Sequence, residues 1–73
     1  MWNLRVYIDG LWLYDAYWTG ARCATGKINA KKYHTETGAQ AVADVVNGEN
    51  GGLKINFDGQ EYPAELRVRK DEQ

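Results

Sequence analysis

Residues 3–14 read NLRVYIDGLWLY, and this stretch decides the fold. Apolar and polar side chains alternate over residues 4–8, which is the pattern of a β-strand with one face turned towards a core. Asp9-Gly10 follows, and this pair favours a two-residue hairpin because both positions of a type I′ turn need positive φ. The stretch therefore predicts a β-hairpin whose return strand covers residues 11–18.

A two-residue turn also fixes which residues face each other across the hairpin. It places Arg5 opposite Tyr14 and Tyr7 opposite Trp12, so one sheet face is aliphatic and the other aromatic. Asp15 would fall on the aliphatic face, so either a bulge resets the register there or the sheet opens to water. The predicted aromatic face carries Arg5, Tyr7, Trp12 and Tyr14, with Trp18 further along the strand.

The closing part of the chain repeats this plan. Residues 53–57 alternate, Asp58-Gly59 supplies a second turn, and residues 60–69 return. Pro63 has no N–H to donate, so the return strand is expected to be an edge strand or to carry a bulge at that position. Residues 70–73 are predicted to form a polar, frayed tail.

One helix is predicted between the two hairpins. Thr37 and Gln40 have the spacing of a capping box, and Gly48 is placed to end the helix in the left-handed conformation. One buried stripe of this helix is formed by Ala39, Val42, Ala43 and Val46.

A third strand is expected within residues 21–33, where the lysines are typical of an edge strand.

These elements define an α+β fold of order ββ(β)αββ. A small antiparallel sheet of four to five strands carries one helix packed on one face. Residues 1–69 form the single domain.

Composition excludes several classes of protein. The 73 residues are 44% apolar and 26% charged, which is typical of a globular domain rather than a disordered chain. No apolar run approaches the roughly 20 residues of a membrane span, and no signal peptide is apparent, so a cytoplasmic protein is expected. One cysteine and one histidine cannot form a four-ligand Cys/His zinc site. No metal site and no cofactor is predicted.

Cys23 and His34 are the residues that could pair as nucleophile and base. Nothing in the sequence is placed to orient the imidazole or to stabilise an oxyanion. Serine is absent, which removes serine-nucleophile mechanisms. We therefore expect a small buried thiol, a surface imidazole, no catalytic residues and no enzyme.

The aromatic face is the strongest candidate for a site. One short helix cannot cover both sides of the sheet, and Tyr, Trp and Arg dominate protein interfaces. The sequence therefore predicts a non-enzymatic protein-binding module. Its expected contacts are Arg5, Tyr7, Trp12, Tyr14 and Trp18.

Two alternatives use the same face. In a nucleic-acid-binding domain, bases would stack on the aromatic rings while a basic segment contacts phosphates. In a structural homodimer, the face would be buried against a second copy. The net charge of −1 argues against a dedicated nucleic-acid binder and also against an acidic DNA mimic. The candidate contacts to phosphates or to an acidic partner are Arg22, Lys27, Lys31 and Lys32.

Residues 62–69, which read YPAELRVR, resemble the last strand of small phage anti-CRISPR proteins. Residues 38–43, which read GAQAVA, are similar to the Ala-rich helices of that family. The resemblance covers about half of the chain, and some members of the family also run hairpin, small-residue helix, hairpin in under about a hundred residues, the size of a single minimal domain. It implies an inhibitor encoded by a phage or mobile element, which acts in the host cytosol. It further implies that the inhibitor binds a host CRISPR effector protein and blocks DNA recognition or cleavage.

Residues 31–35, which read KKYHT, are similar to the strand-to-helix junction in the arm-binding domain of phage integrases. That family places a three-stranded sheet in the DNA major groove. This second resemblance implies the nucleic-acid alternative.

Overall fold

Five strands and one helix follow each other along the chain. The computed structural model describes residues 1–49 and 52–71, apart from the side chains of Tyr14 and Phe57. The elements are β1 (Trp2–Ile8), β2 (Leu11–Trp18), β3 (Cys23–Thr25), a 3-10 turn (Lys27–Asn29), α1 (Glu36–Gly48), β4 (Leu53–Phe57) and β5 (Gln60–Lys70).

The strands form one antiparallel sheet in the order β3-β2-β1-β5-β4. The central strand β1 pairs with β5 from Trp2–Lys70 to Tyr7–Glu65. The first part of β5 pairs instead with β4, from Phe57–Gln60 to Leu53–Ala64. The α+β class, with one helix on an antiparallel sheet, is thereby confirmed.

The core lies between α1 and the sheet. Ala39 and Ala43 of α1 are fully buried, and Val42 and Val46 pack beside them, which confirms the predicted stripe. Small residues on a helix let its backbone approach a sheet closely, so that few large side chains suffice to fill the space. The buried sheet residues of this cluster are Leu4, Val6, Ala16 and Leu66.

Both ends of α1 differ from the expectation. Thr35, not Thr37, is the N-cap, and its hydroxyl oxygen accepts a hydrogen bond from the Gly38 N–H at 3.0 Å. Thr35 is extended, as an N-cap residue should be, whereas Thr37 is already helical. Gly48 is the last helical residue and has no positive φ, because the chain leaves through Glu49 in an extended conformation.

A bulge in β2 resolves the anomaly at Asp15. Tyr7 lies opposite Trp12, but Arg5 lies opposite Tyr17 rather than Tyr14, so the register shifts between these two pairs. Asp15 has a φ of 51°, a left-handed conformation that aspartate tolerates better than most residues. The first of the two alternatives, a bulge, is therefore the one the structure adopts.

Pro63 fits an internal strand without breaking a ladder bond. It pairs with Lys54 of β4, and β1 begins to pair with β5 only at Glu65. At Pro63, β5 therefore has a neighbour on one side, and the missing N–H points to the unpaired side.

The expected tail begins later than residue 70. Lys70 is the last residue of β5, and the Asp71 N–H donates to the Met1 carbonyl at 2.7 Å. The Asp71 side chain is only 3% exposed. The domain therefore extends to at least Asp71; residues 72 and 73 of the predicted tail lie outside the described residues.

Candidate functional site

The sheet face opposite α1 carries arginines stacked on aromatic rings. Because Leu4 and Val6 face the helix, Arg5 and Tyr7 face away from it. The Arg5 guanidinium carbon lies 4.4 Å from the centroid of the Trp12 ring and 5.9 Å from that of Tyr17. These two rings meet edge to face with centroids 5.8 Å apart. Arg5 is therefore held by cation–π contacts on two sides.

A second stack lies beside the first. The guanidinium carbons of Arg67 and Arg69 lie 4.5 and 5.3 Å from the centroid of the Tyr7 ring. Glu65 binds Arg67 through Nε at 3.0 Å and Nη2 at 2.6 Å. We call the whole surface the arginine–aromatic face; its members are Arg5, Tyr7, Trp12, Tyr17, Glu65, Arg67 and Arg69.

The rings of this face differ in exposure. Tyr7 and Tyr17 are 8% and 4% exposed, whereas Trp12 is 38% exposed. The Trp12 indole N–H also donates to the Ala16 carbonyl at 3.1 Å, which fixes the ring over the bulge. The surface that a partner meets is therefore made of guanidinium groups and the exposed part of the Trp12 ring, with three positive charges and one negative charge.

The structure brings together three of the five predicted contacts and adds others. Arg5, Tyr7 and Trp12 lie together on the arginine–aromatic face. Trp18 does not belong to it: the bulge places Tyr17 on this face and turns Trp18 towards the core. Tyr14 lies in β2, but its side chain is outside the described residues.

Three members of the face were not predicted from the sequence: Tyr17, Arg67 and Arg69. Arg67 and Arg69 alternate along the closing strand, and that spacing puts them on one face of β5. They reach Tyr7 only because β5 pairs with β1, and no local pattern specifies that pairing.

The four basic residues proposed to contact phosphate differ in their surroundings. Lys27 and Lys32 form ion pairs with the two carboxylate oxygens of Asp71, at 3.1 and 3.4 Å. Lys31 Nζ lies 5.9 Å from the ring centroid of Tyr33, and Arg22 is exposed on the turn before β3. Asp71 thus offsets one of the two positive charges of Lys27 and Lys32.

Asp71 links stability to pH. The hydrogen bond from Lys27 is the main cause that holds the pKa of the Asp71 carboxyl below its usual range; Lys32 adds to the effect, and burial opposes it. A lowered pKa in the folded state stabilises the fold above the ordinary carboxyl pKa, and this contribution is lost as pH falls through the folded value. We expect Asp71→Asn to lower the free energy of unfolding at pH 7 and to flatten its decline as pH falls below the ordinary carboxyl pKa.

Urea unfolding followed by tryptophan fluorescence at several pH values measures this effect. Asp58→Asn in the exposed β4–β5 turn is the matched control, because asparagine also tolerates the positive φ there. An acid dependence of Asp71→Asn as steep as that of the unmodified protein would contradict the assignment.

Cys23 has the character of a structural thiol. Burial raises the pKa of Cys23 to about 11, so the thiol stays protonated at neutral pH and is a weak nucleophile. Cys23 lies in β3, whereas His34 is exposed on the segment before α1. Among the described residues no group of three or more His, Cys, Asp or Glu side chains could hold a metal ion.

Comparison of the chain with protein-family models, with curated proteins and with solved structures finds no match. Within residues 1–49 and 52–71, no helix combines the length and the apolar character needed to cross a membrane. The fold and the site together define a small α+β domain with an arginine-covered sheet face.

Proposed function

We propose that the chain is a non-enzymatic protein-binding module whose arginine–aromatic face engages an acidic surface of a partner protein. The observation that carries this proposal is the stacking of Arg5, Arg67 and Arg69 on the rings of Trp12 and Tyr7. A guanidinium presents planar donors that match carboxylates in a bidentate geometry. Three of them on one face, with one compensating carboxylate, favour a partner rich in Asp and Glu.

Stacking on rings prepares these arginines for binding. A free arginine side chain loses rotamer entropy when a partner immobilises it, and that loss weakens binding. Arg5 is already held between Trp12 and Tyr17, and Arg67 is held between Tyr7 and Glu65. Since Arg, Trp and Tyr are also the residues enriched in interface hot spots, the face has the composition of a protein-binding surface.

Nucleic-acid binding is the second candidate, because the face is cationic. It ranks lower for two reasons. The Tyr7 ring is buried beneath two guanidinium groups, so a base could stack on it only after displacing the arginines, and Trp12 is the more exposed ring of the face. Lys27 and Lys32, which would contact phosphates, share the Asp71 carboxylate, which offsets one of their two positive charges.

The homodimer alternative is disfavoured by charge. A twofold interface brings the same patch of both copies together. Self-association through this face would oppose three arginines of one copy to three of the other, with only Glu65 to offset them on each side. A partner of opposite charge avoids this repulsion.

The resemblance to anti-CRISPR proteins adds a narrower proposal. The partner would be a host CRISPR effector protein, and the chain would be an inhibitor encoded by a phage or mobile element that acts in the host cytoplasm. Adding the purified chain to a DNA-cleavage reaction of such an effector tests it: cleavage should fall at stoichiometric amounts of the chain, and undiminished cleavage by the effectors tested would remove them as partners.

The face is tested by charge-removing variants. Arg5→Gln and Arg69→Gln should each weaken binding of the partner by about tenfold or more, since truncating a hot-spot residue costs about 2 kcal/mol or more and about 1.4 kcal/mol is a factor of ten. Binding should also weaken with salt. The partner is first captured from host lysate with the immobilised protein, then purified and titrated against each variant, after circular dichroism has shown that the variants fold.

Lys70→Gln is the matched control, because Lys70 is an exposed cation of β5 that lies next to Arg69 but on the other face of the strand. It should bind as the unmodified protein does. Equal binding by all three variants would refute the proposed face. Saturable quenching of tryptophan fluorescence by duplex or single-stranded DNA at near-physiological salt would place the nucleic-acid candidate first.

A further inference from the structure

A second surface lies on the helix side of the sheet, where the two outermost strands β3 and β4 border one open groove of 540 Å³. Its lining is mainly apolar and includes two cationic residues but no acidic residue. We call it the edge groove. Its floor is formed by Leu13, Ala16, Trp18, Leu53 and Ile55, and its borders by Arg22, Cys23, Thr25, Lys54 and Asn56.

The outer backbone groups of β4 point towards this groove. In a two-residue hairpin the pair next to the turn is hydrogen-bonded, and bonded pairs then alternate with non-bonded ones. Phe57–Gln60, Ile55–Tyr62 and Leu53–Ala64 are therefore the bonded pairs. The N–H and C=O groups of Lys54 and Asn56 point away from β5.

The outer groups of β3 follow the same rule. The Thr19 N–H donates to the Arg22 carbonyl, and the Gly26 N–H donates to the Asp15 carbonyl, both at 2.8 Å. These two bonds fix the alternation, so that Cys23 and Thr25 direct their backbone groups away from β2. The Thr25 carbonyl accepts from Asn29 Nδ2 at 2.8 Å. Within residues 1–49 and 52–71, the Thr25 N–H and both backbone groups of Cys23 have no hydrogen-bond partner and are available to another strand.

Strand direction is compatible with one further strand between these edges. All four neighbouring pairs of the sheet are antiparallel, so β3 and β4, four positions apart, run in the same direction. A single strand that runs opposite to both would continue the alternation on each side. It would have to lie about 4.8 Å from each of the two edge strands, which is the spacing of paired strands.

We propose that the edge groove binds an extended segment of a partner protein, inserted antiparallel to β3 and β4 as a sixth strand. Alternate apolar side chains of the segment would lie on the floor of the groove. An acidic side chain would pair with Arg22 or Lys54, of which Lys54 also lies 3.8 Å from Glu61. This mode of recognition takes affinity from main-chain hydrogen bonds and specificity from alternate side-chain pockets. The groove is separate from the arginine–aromatic face and does not depend on its role.

The test uses a fluorescein-labelled octapeptide with a glutamate at each end and alternating valine and threonine between them. Fluorescence anisotropy measures binding, and amide hydrogen exchange followed by NMR locates it. We expect saturable binding and at least about tenfold slower exchange at the outward amides, because they gain hydrogen bonds. These amides belong to Cys23, Thr25, Lys54 and Asn56.

Variants and a control peptide separate strand addition from simple apolar contact. Arg22→Gln should weaken peptide binding about two- to fivefold, as expected for one exposed ion pair, and Lys70→Gln, outside both the groove and the arginine–aromatic face, should leave it unchanged. The same peptide with alternate backbone nitrogens methylated should not bind.

Three results would overturn the proposal. One is unchanged exchange of the four amides at millimolar peptide. Another is equal binding of the methylated peptide, which would mean that side chains alone are recognised. The third is a dimer in sedimentation that protects the same amides without peptide, since the groove would then be occupied by a second copy.

Discussion

Replacing Leu4 with alanine is expected to leave much of the protein unfolded at room temperature. Leu4 is fully buried in β1, within the cluster that joins α1 to the sheet. Truncation of a buried leucine to alanine costs about 2–5 kcal/mol, because apolar contact is lost and a cavity remains. A single domain of this size has only about 3–5 kcal/mol of stability in total. Urea unfolding followed by circular dichroism measures the loss.

Leu11→Ala is the control for this prediction. Leu11 is 74% exposed at the start of β2, beside the Asp9-Gly10 turn, so its truncation removes little buried surface. We expect a change within about 0.5 kcal/mol. If the two leucine variants lost equal stability, the core would not lie between β1 and α1.

Replacing Asn47 with alanine is expected to cost about 2–3 kcal/mol and to lower Tm by roughly 10–20 °C. Asn47 lies in the last turn of α1. Its Nδ2 donates to the Leu66 carbonyl at 3.0 Å, and its Oδ1 accepts from the Leu66 N–H at 2.8 Å. β4 stops pairing with β5 at Ala64, so the side-chain amide takes the place of a neighbouring strand at Leu66. Alanine would leave two part-buried backbone groups unpaired.

Asn56→Ala, at an exposed position in β4, controls for the change of residue type and should alter Tm by less than a few degrees. Alanine is a better helix former than asparagine, so helix propensity alone would make Asn47→Ala stabilising. Thermal unfolding monitored by circular dichroism shows whether Asn47→Ala lowers or raises Tm. A Tm equal to or above that of the unmodified protein would show that the link between α1 and β5 contributes no stability.

Local sequence patterns were sufficient to predict much of the fold. Asp9-Gly10 and Asp58-Gly59 all have positive φ, and Ile8 lies opposite Leu11 just as Phe57 lies opposite Gln60. Such turns depend on the backbone freedom of two adjacent residues, which the sequence displays directly. The buried stripe of α1 could be predicted equally well, because it depends only on helical spacing.

The cap of α1 depended on more distant contacts. Thr35 and Thr37 are both suitable N-cap residues. Trp2 and Tyr33 exchange two backbone hydrogen bonds, of 2.9 and 2.7 Å, and this bridge holds the chain extended two residues before Thr35. The helix starts where that constraint ends, and nothing near Thr37 reveals it.

Only about half of the site could be predicted from the sequence, for a related reason. Arg5, Tyr7 and Trp12 share one hairpin, and its turn placed them on one face. Tyr17 lies on the same face because of the bulge in β2. The predicted position of Asp15 on the aliphatic face suggested a bulge, but it did not indicate how many residues the bulge contains. Arg67 and Arg69 joined them through the pairing of β5 with β1, which joins segments about 60 residues apart. Local physical rules specify faces well, but they do not specify which strands become neighbours.

The pairing of Trp2 with Lys70 has a consequence for biosynthesis. β1 is the central strand, yet one of its two neighbours is the last strand of the described chain to leave the ribosome. Until residues 65–70 have been synthesised, the first hairpin lacks a covered edge and α1 lacks most of its packing surface. A nascent chain stopped before Glu65 would thus expose an unpaired, apolar strand edge, and such an edge is prone to aggregate.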